Sequence, residues 1–250
     1  MAVPQPPPFT PPAALLSQLR GHGHAVLAPD AVGALCGFDV SALAPLVPSW
    51  EDLPADHYLR DGGRYRKRRH SCFIVEQGKV EPVPHRAHWQ PVDYNALHGG
   101  MERWFKPISK AVLANDAWTG LLASLAHLFS ELRQDVDRWF VEAHQFRIDT
   151  ADGIGRPTPE GAHRDGVDFV AVFLVARHGI TGGETRVFDA NGPAGQRFTL
   201  EAPWSLLLLD DARVIHESTP IQPVAAGMAG HRDTLVLTYR AGGFQSPGAS

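Results

Sequence analysis

The sequence predicts a mainly β protein of the α+β class, with a β-core and helices packed on its outside. Three observations carry that expectation. Trp118, Leu121, Leu122, Leu125, Leu128, Phe129 and Leu132 recur at the i, i+3, i+4, i+7 spacing of an amphipathic helix. From Trp139 onward the pattern alternates with period two, as in Val141 to Ile148. Short apolar runs broken by Gly, Pro and Asp then follow to about residue 240. A chain of 250 residues can bury one substantial core. It is read as one domain over residues 13–250, helix-rich to about 138 and β-rich from about 139 to 241.

Taken in order, residues 1–12 are dominated by proline and are expected to form a loose, extended tail. Ala13 to Arg20 reads as a short helix ended by Gly21, His24 to Ala28 as a strand, and a second helix starts at Asp30. Arg60, Arg64, Arg66, Lys67, Arg68 and Arg69 lead directly into the apolar run Phe73-Ile74-Val75. Alternate cations of this strand must therefore face whatever the sheet encloses or be paired with acids; the alternation does not say which. Asp93 to Phe105 is expected to be helical, and His85 and His88 beside prolines read as loop positions or as supports behind a site's ligands. Asn115 or Asp116 caps the striped helix. On the strand from Val141, His144, Phe146 and Ile148 share one face and Gln145 and Arg147 the other. Thr150 to Gly161 suits a rim or lid, and strands are expected at Asp168 to Arg177, Glu184 to Phe188, Phe198 to Leu200, Leu206 to Leu209 and Leu235 to Tyr239.

Net charge is −4, with 44% hydrophobic and 20% charged residues. That balance gives no general attraction for nucleic acid or anionic membranes. The N-terminal residues lack a basic region followed by an apolar core, and no apolar run has membrane-spanning length. Cys36 and Cys72 are the only cysteines, too few for a disulfide framework, so reduced thiols and a cytoplasmic setting are expected.

The chemistry concentrates in Pro159 to Phe169. His163 and Asp165 are two residues apart, so on extended backbone they point to one side. His216 follows Leu206-Leu207-Leu208-Leu209 and the turn-forming pair Asp210-Asp211. Two histidines and one carboxylate leave half of an octahedral shell open, the arrangement of non-haem Fe(II) oxygenases. His163, Asp165 and His216 are thus the candidate metal ligands. Further on, Arg232 and Thr234 share a face of a strand-like run, where a guanidinium fork and a hydroxyl can grip one carboxylate. Arg240, nearer the far end of that run, is the weaker candidate.

The order His-x-Asp, distal His and Arg-x-Thr resembles the 2-oxoglutarate/Fe(II)-dependent dioxygenases. Tyr58 to Arg66, His144 to Ile148, Pro159 to Val170, Gly182 to Thr185 and Leu208 to His216 are similar to the branch with L-isoleucine 4-hydroxylase and its biofilm- and stress-associated relatives. The resemblance spans about residues 20–240. It implies a double-stranded β-helix (jelly roll) core, Fe(II) on His163, Asp165 and His216, and 2-oxoglutarate chelated to the iron. Arg232, supported by Thr234, would hold the far carboxylate, and O2 would complete the reaction. The implied activity is hydroxylation of an unactivated carbon of a small substrate, foremost a free aliphatic L-amino acid, with release of succinate and CO2. The motifs do not name the substrate, and two other readings stay open: a nucleic-acid base or protein side chain brought to the same site, or a metal- and 2-oxoglutarate-binding sensor without turnover.

Overall fold

The computed structural model describes residues 5–95 and 97–248. Residues 1–4 of the expected tail lie outside this range. Residues 5–10 are not loose: the Gln5 carbonyl accepts from Thr199 N–H at 3.0 Å, and Thr10 N–H donates to Val26 O at 2.7 Å. The prolines cannot extend a ladder, yet the intervening N–H and C=O groups dock on strand edges.

Helix α1 (Leu15–His22) runs past Gly21 and stops at Gly23, whose φ of 72° is the left-handed value that glycine adopts freely. Strand β1 (His24–Leu27) and helix α2 (Pro29–Cys36) follow, then a 3-10 run from Val40 to Trp50 interrupted by Pro45 and Pro48. Next come β2 (Arg66–Glu76), β3 (Lys79–Pro82), the short helix α3 (Lys110–Leu113) and α4 (Asp116–Leu132). The remaining strands are β4 (Arg138–Asp149), β5 (Phe169–His178), β6 (Ile180–Gly182), β7 (Thr185–Asp189), β8 (Gly195–Phe198), β9 (Leu206–Asp210), β10 (Val214–Ser218), β11 (Ile221–Pro223) and β12 (His231–Arg240).

The helix expected over Asp93 to Phe105 is absent among the described residues, which form turns and a bridge between His88 and Arg103. Non-local bonds override local propensity there: Asn95 Nδ2 and Arg103 Nη2 both donate to Gln90 Oε1, at 3.1 and 2.8 Å.

Seven strands make one antiparallel sheet in the order β1-β9-β5-β12-β4-β2-β3. The three-stranded sheet β10-β7-β8 and the pair β11-β6 face it, since Val26, Val170, Leu174, Leu207 and Leu209 of the large sheet pack with Val187, Phe198 and Val214, and Ile148 packs with Ile180 and Ile221. Period two decides the layering. Ala171, Phe173, Leu206, Leu208, Leu235, Leu237 and Tyr239 point the other way, under the helices. Helix α4 covers that face, capped by Asn115 Oδ1 accepting from Ala117 N–H at 2.9 Å. Its Phe129 stacks on Phe169 at 4.4 Å. Each such fully buried side chain is worth about 1.5–3 kcal/mol of burial. No single helix among the described residues is long and apolar enough to cross a membrane.

Candidate active site

The inward face of the large sheet can be read off the strand register. Opposite one another lie Arg66, Ile148 and Arg232; then Arg68, Phe146 and Thr234; then His70, His144, Val236 and Val172; then Cys72, Glu142 and Thr238. A one-residue register shift where β12 meets β5, between Asp233 and Thr234, places an irregularity beside this wall, as bulges commonly do at sites. A cavity of about 130 Å³ opens between this wall and the segment carrying His163 and Asp165.

The structure brings His163, Asp165 and His216 together. The backbones of His163 and His216 pair as a bridge, with the rings 4.5 Å apart. His163 Nε2 lies 3.9 Å from Asp165 Oδ1, and His216 Nε2 lies 3.8 Å from Asp165 Oδ2. The Gly161 carbonyl sits 2.9 Å from His163 Nδ1 and can accept its proton, which leaves Nε2 as the lone-pair nitrogen toward the cluster. Asp211, in the turn after β9, holds the segment in place: its carboxylate accepts from the backbone N–H groups of Asp165, Gly166 and Val167 at 2.9, 2.7 and 3.2 Å.

This donor set fits a hard-to-borderline divalent cation such as Fe(II). The electrostatics agree, because carboxylates crowd the site. Burial and the Asp165 charge push Asp211 up to about 7. Burial, with Glu160 adding to it, raises Asp165 against the opposing pull of His163. Burial pushes His163 down, but Asp165 and Glu160 outweigh it and leave that imidazole above its ordinary value. His216 is pushed well down by burial and then by His163, so it presents a neutral ring. A bound cation offsets the crowding of Asp165 and Asp211 and takes the lone pairs of both rings.

Arg232 and Thr234 line the same cavity, 5% and 3% exposed. Among the described residues the Arg232 guanidinium has no hydrogen bond or ion pair, although burial, and then Arg177, push it down to about 10. A buried cation without a partner is costly, so the position suits an incoming carboxylate.

The structure also decides the alternations. Arg66 and Arg68 face the cavity, whereas Arg69 reaches Asp52 and Lys67 reaches Asp149. Arg147 lies on the opposite face, its fork held by Asp233 at 2.8 Å and by Glu51. His88, expected in a loop or supporting the site, and His144 both stand in the cavity wall. With His70 and Glu142 they form a second compact group of metal-ligating side chains, all buried. The expected rim is present in part, since Pro157, Thr158 and Glu160 line the cavity.

The family model for 2OG-Fe dioxygenases matches residues 47–238. The chain belongs to the 2OG-Fe dioxygenase family. It is therefore a dioxygenase that works with Fe(II), 2-oxoglutarate and O2. The crystal structure of a bsmA homologue from Methylobium petroleophilum is 56% identical, with a TM-score of 0.90 and 96% of each chain covered. IDO from Bacillus thuringiensis shares 17% identity and a TM-score of 0.73, over 92% of this chain and 99% of its own. The Fe(II)/α-ketoglutarate-dependent dioxygenase TqaL shares 19% identity and a TM-score of 0.70, over 92% and 86%. These last two are likenesses of fold. No functionally curated protein matches the sequence.

Proposed function

We propose that this dioxygenase hydroxylates an unactivated carbon of a free aliphatic L-amino acid, with Fe(II) held by His163, Asp165 and His216. We read its two facing sheets as a double-stranded β-helix, of the branch with L-isoleucine 4-hydroxylase. The far carboxylate of 2-oxoglutarate is assigned to Arg232, with Thr234 beside it. When bound, Fe(II) would supply the chemistry by which O2 oxidises 2-oxoglutarate to succinate and CO2 and the substrate to its alcohol, one oxygen atom going to each. The chain's own residues orient the two organic ligands and exclude water.

The observation that carries the substrate assignment is the division of one small cavity wall. Phe146, Ile148, Val172 and Val236 give an apolar surface beside the charged group of Arg68, Glu142 and their neighbours. An aliphatic chain with an ionic head matches that division, and about 130 Å³ favours a small molecule over a nucleotide or polypeptide segment. The test is purified protein with Fe(II), ascorbate and 2-oxoglutarate, screened by mass spectrometry for a gain of one oxygen on free aliphatic amino acids. Oxygen gain and matching succinate are expected. Bound 2-oxoglutarate without turnover on any member would instead make the protein a sensor.

A further inference from the structure

We infer that Glu142, held by His70 and His88, is the ammonium-binding residue of the substrate site, and that Arg68 and Arg103 beside it receive the substrate carboxylate. This rests on, and deepens, the amino-acid reading above.

Glu142 is buried in the cavity wall at 6% exposure. One oxygen, Oε2, lies 2.7 Å from His70 Nε2 and 2.8 Å from His88 Nδ1, and each imidazole can donate its proton there. His70 stacks on His144 at 4.6 Å, which fixes the ring. The other oxygen, Oε1, has no hydrogen bond among the described residues. A carboxylate pinned through one oxygen and open through the other is a ready acceptor for a charged donor.

The neighbouring cations have unused donors as well. Arg68 lies between the faces of Phe105 and Phe146, at 3.9 and 4.4 Å, and its Nη2 is 2.7 Å from His144 Nδ1. Asp56, its nearest carboxylate at 3.8 Å, already accepts from Arg66 Nε at 2.8 Å. Arg103 is fixed by Gln90 Oε1 at 2.8 Å. The Nε atoms of Arg68 and Arg103 are buried without a partner among the described residues.

Charge balance selects the head group. With Arg232 and Asp165 assigned to the cosubstrate and the metal, the lining Arg66, Arg68 and Arg103 are set against Glu142, Glu160 and Asp56, the last lying behind the wall on Arg66, three cations and three anions. A dianion or a bare amine would leave this enclosed wall unbalanced, which low dielectric penalises. A zwitterion adds no net charge and puts both signs on adjacent atoms. Arg232 lies six residues from Thr238 along β12, and Thr238 pairs with Glu142. At strand rise this places Glu142 roughly 20 Å along the sheet from Arg232; Arg68 starts in the row of Phe146 and Thr234, two strands across from β12, and its guanidinium reaches His144 between the two ends.

The experiment compares L-valine, L-leucine and L-isoleucine with their N-acetyl and 2-hydroxy-acid analogues, measuring succinate release from the Fe(II)- and 2-oxoglutarate-loaded protein. Free amino acids should stimulate wild type, and the N-acetyl forms should not. Glu142→Gln should raise KM for free amino acids about tenfold or more, as expected for a lost charge-assisted contact. The KM for 2-oxoglutarate should stay put, and the 2-hydroxy acids should gain on the amino acids. Equal use of free and N-acetyl forms by wild type overturns the ammonium site while leaving the amino-acid reading standing, and this arm does not depend on any variant folding. The same selective loss in Glu160→Gln but not in Glu142→Gln overturns the assignment to Glu142. No response to any free amino acid overturns the underlying reading as well.

Discussion

His163 and His216 exchange both of their backbone hydrogen bonds, each N–H donating to the other's carbonyl oxygen at 3.0 Å. The two rings are thus brought together by main chain, not by each other. Truncating either imbalances nothing that holds the bridge. His163→Ala and His216→Ala should therefore abolish stoichiometric Fe(II) binding and succinate formation, while stability changes by no more than about 1 kcal/mol. Anaerobic metal titration and thermal unfolding check this. Wild-type metal affinity in either variant would remove that residue from the ligand set.

Asp211 acts on the same centre through backbone. Its three accepted N–H bonds hold the turn that aims Asp165. Asp211→Asn keeps the shape but loses one acceptor and the charge. Metal affinity should fall by about 10- to 100-fold, the usual effect of losing a group that orients a ligand. The readout is an Fe(II) or Mn(II) titration, and an unchanged dissociation constant contradicts the role.

Arg232 should report on 2-oxoglutarate alone. Losing one charge-assisted contact costs about 1.5–3 kcal/mol, so Arg232→Ala should raise the 2-oxoglutarate KM roughly 10- to 150-fold. Arg232→Lys keeps the charge without the fork and should fall between. If neither variant changes the cosubstrate requirement, the far carboxylate lies elsewhere.

That His163, Asp165 and His216 cluster and that Arg232 and Thr234 share their cavity was legible because each position is set by short spacing on extended chain or by a turn between apolar runs. The face of β4 was not. Each side mixes polar and apolar residues, Glu142 and His144 with Phe146 and Ile148 on one and Gln145 and Arg147 with Val141 and Ala143 on the other, since both sides of this strand are covered. What decides is remote: the 3-10 run before Glu51 brings Ser49 to Gln145 at 2.6 Å and Glu51 to Arg147. His88, Gln90 and Arg103 were illegible for a related reason, lying on irregular chain fixed by contacts with no period.

That orientation makes Arg147 a structural residue. Arg147→Ala leaves Asp233, 1% exposed, without its main partner. Breaking such a buried pair from one side costs about 3–5 kcal/mol. Urea unfolding should show that loss, while the KM for the organic substrate, measured well below the melting temperature, stays near wild type. A large rise in substrate KM with intact stability would put Arg147 in the cavity after all.

Acid should weaken the fold well above the carboxylate range. Burial pushes His88 down to about 3 and holds His70 and His144 below their ordinary value, despite the pull of Glu142 on His70. In the unfolded chain these imidazoles take protons near pH 6.5, so below that pH the unfolded state binds more protons and stability falls as pH falls. Each histidine contributes a slope of up to about 1.4 kcal/mol per pH unit until its folded value is reached. Burial alone would raise Glu142, but His88 and His70 outweigh it and keep it low. Its contribution is therefore present above about pH 4.3 and is lost only further down; between pH 6.5 and 5 the buried histidines outnumber the raised carboxylates Asp211 and Asp165, whose proton uptake in the folded state opposes them. The urea midpoint should drop steadily across that window, and His88→Gln should flatten the slope by close to one proton. A midpoint constant from pH 7 to 5 would mean that these rings are protonated in the folded protein, and that Glu142 is neutralised by them instead of standing open to a substrate cation.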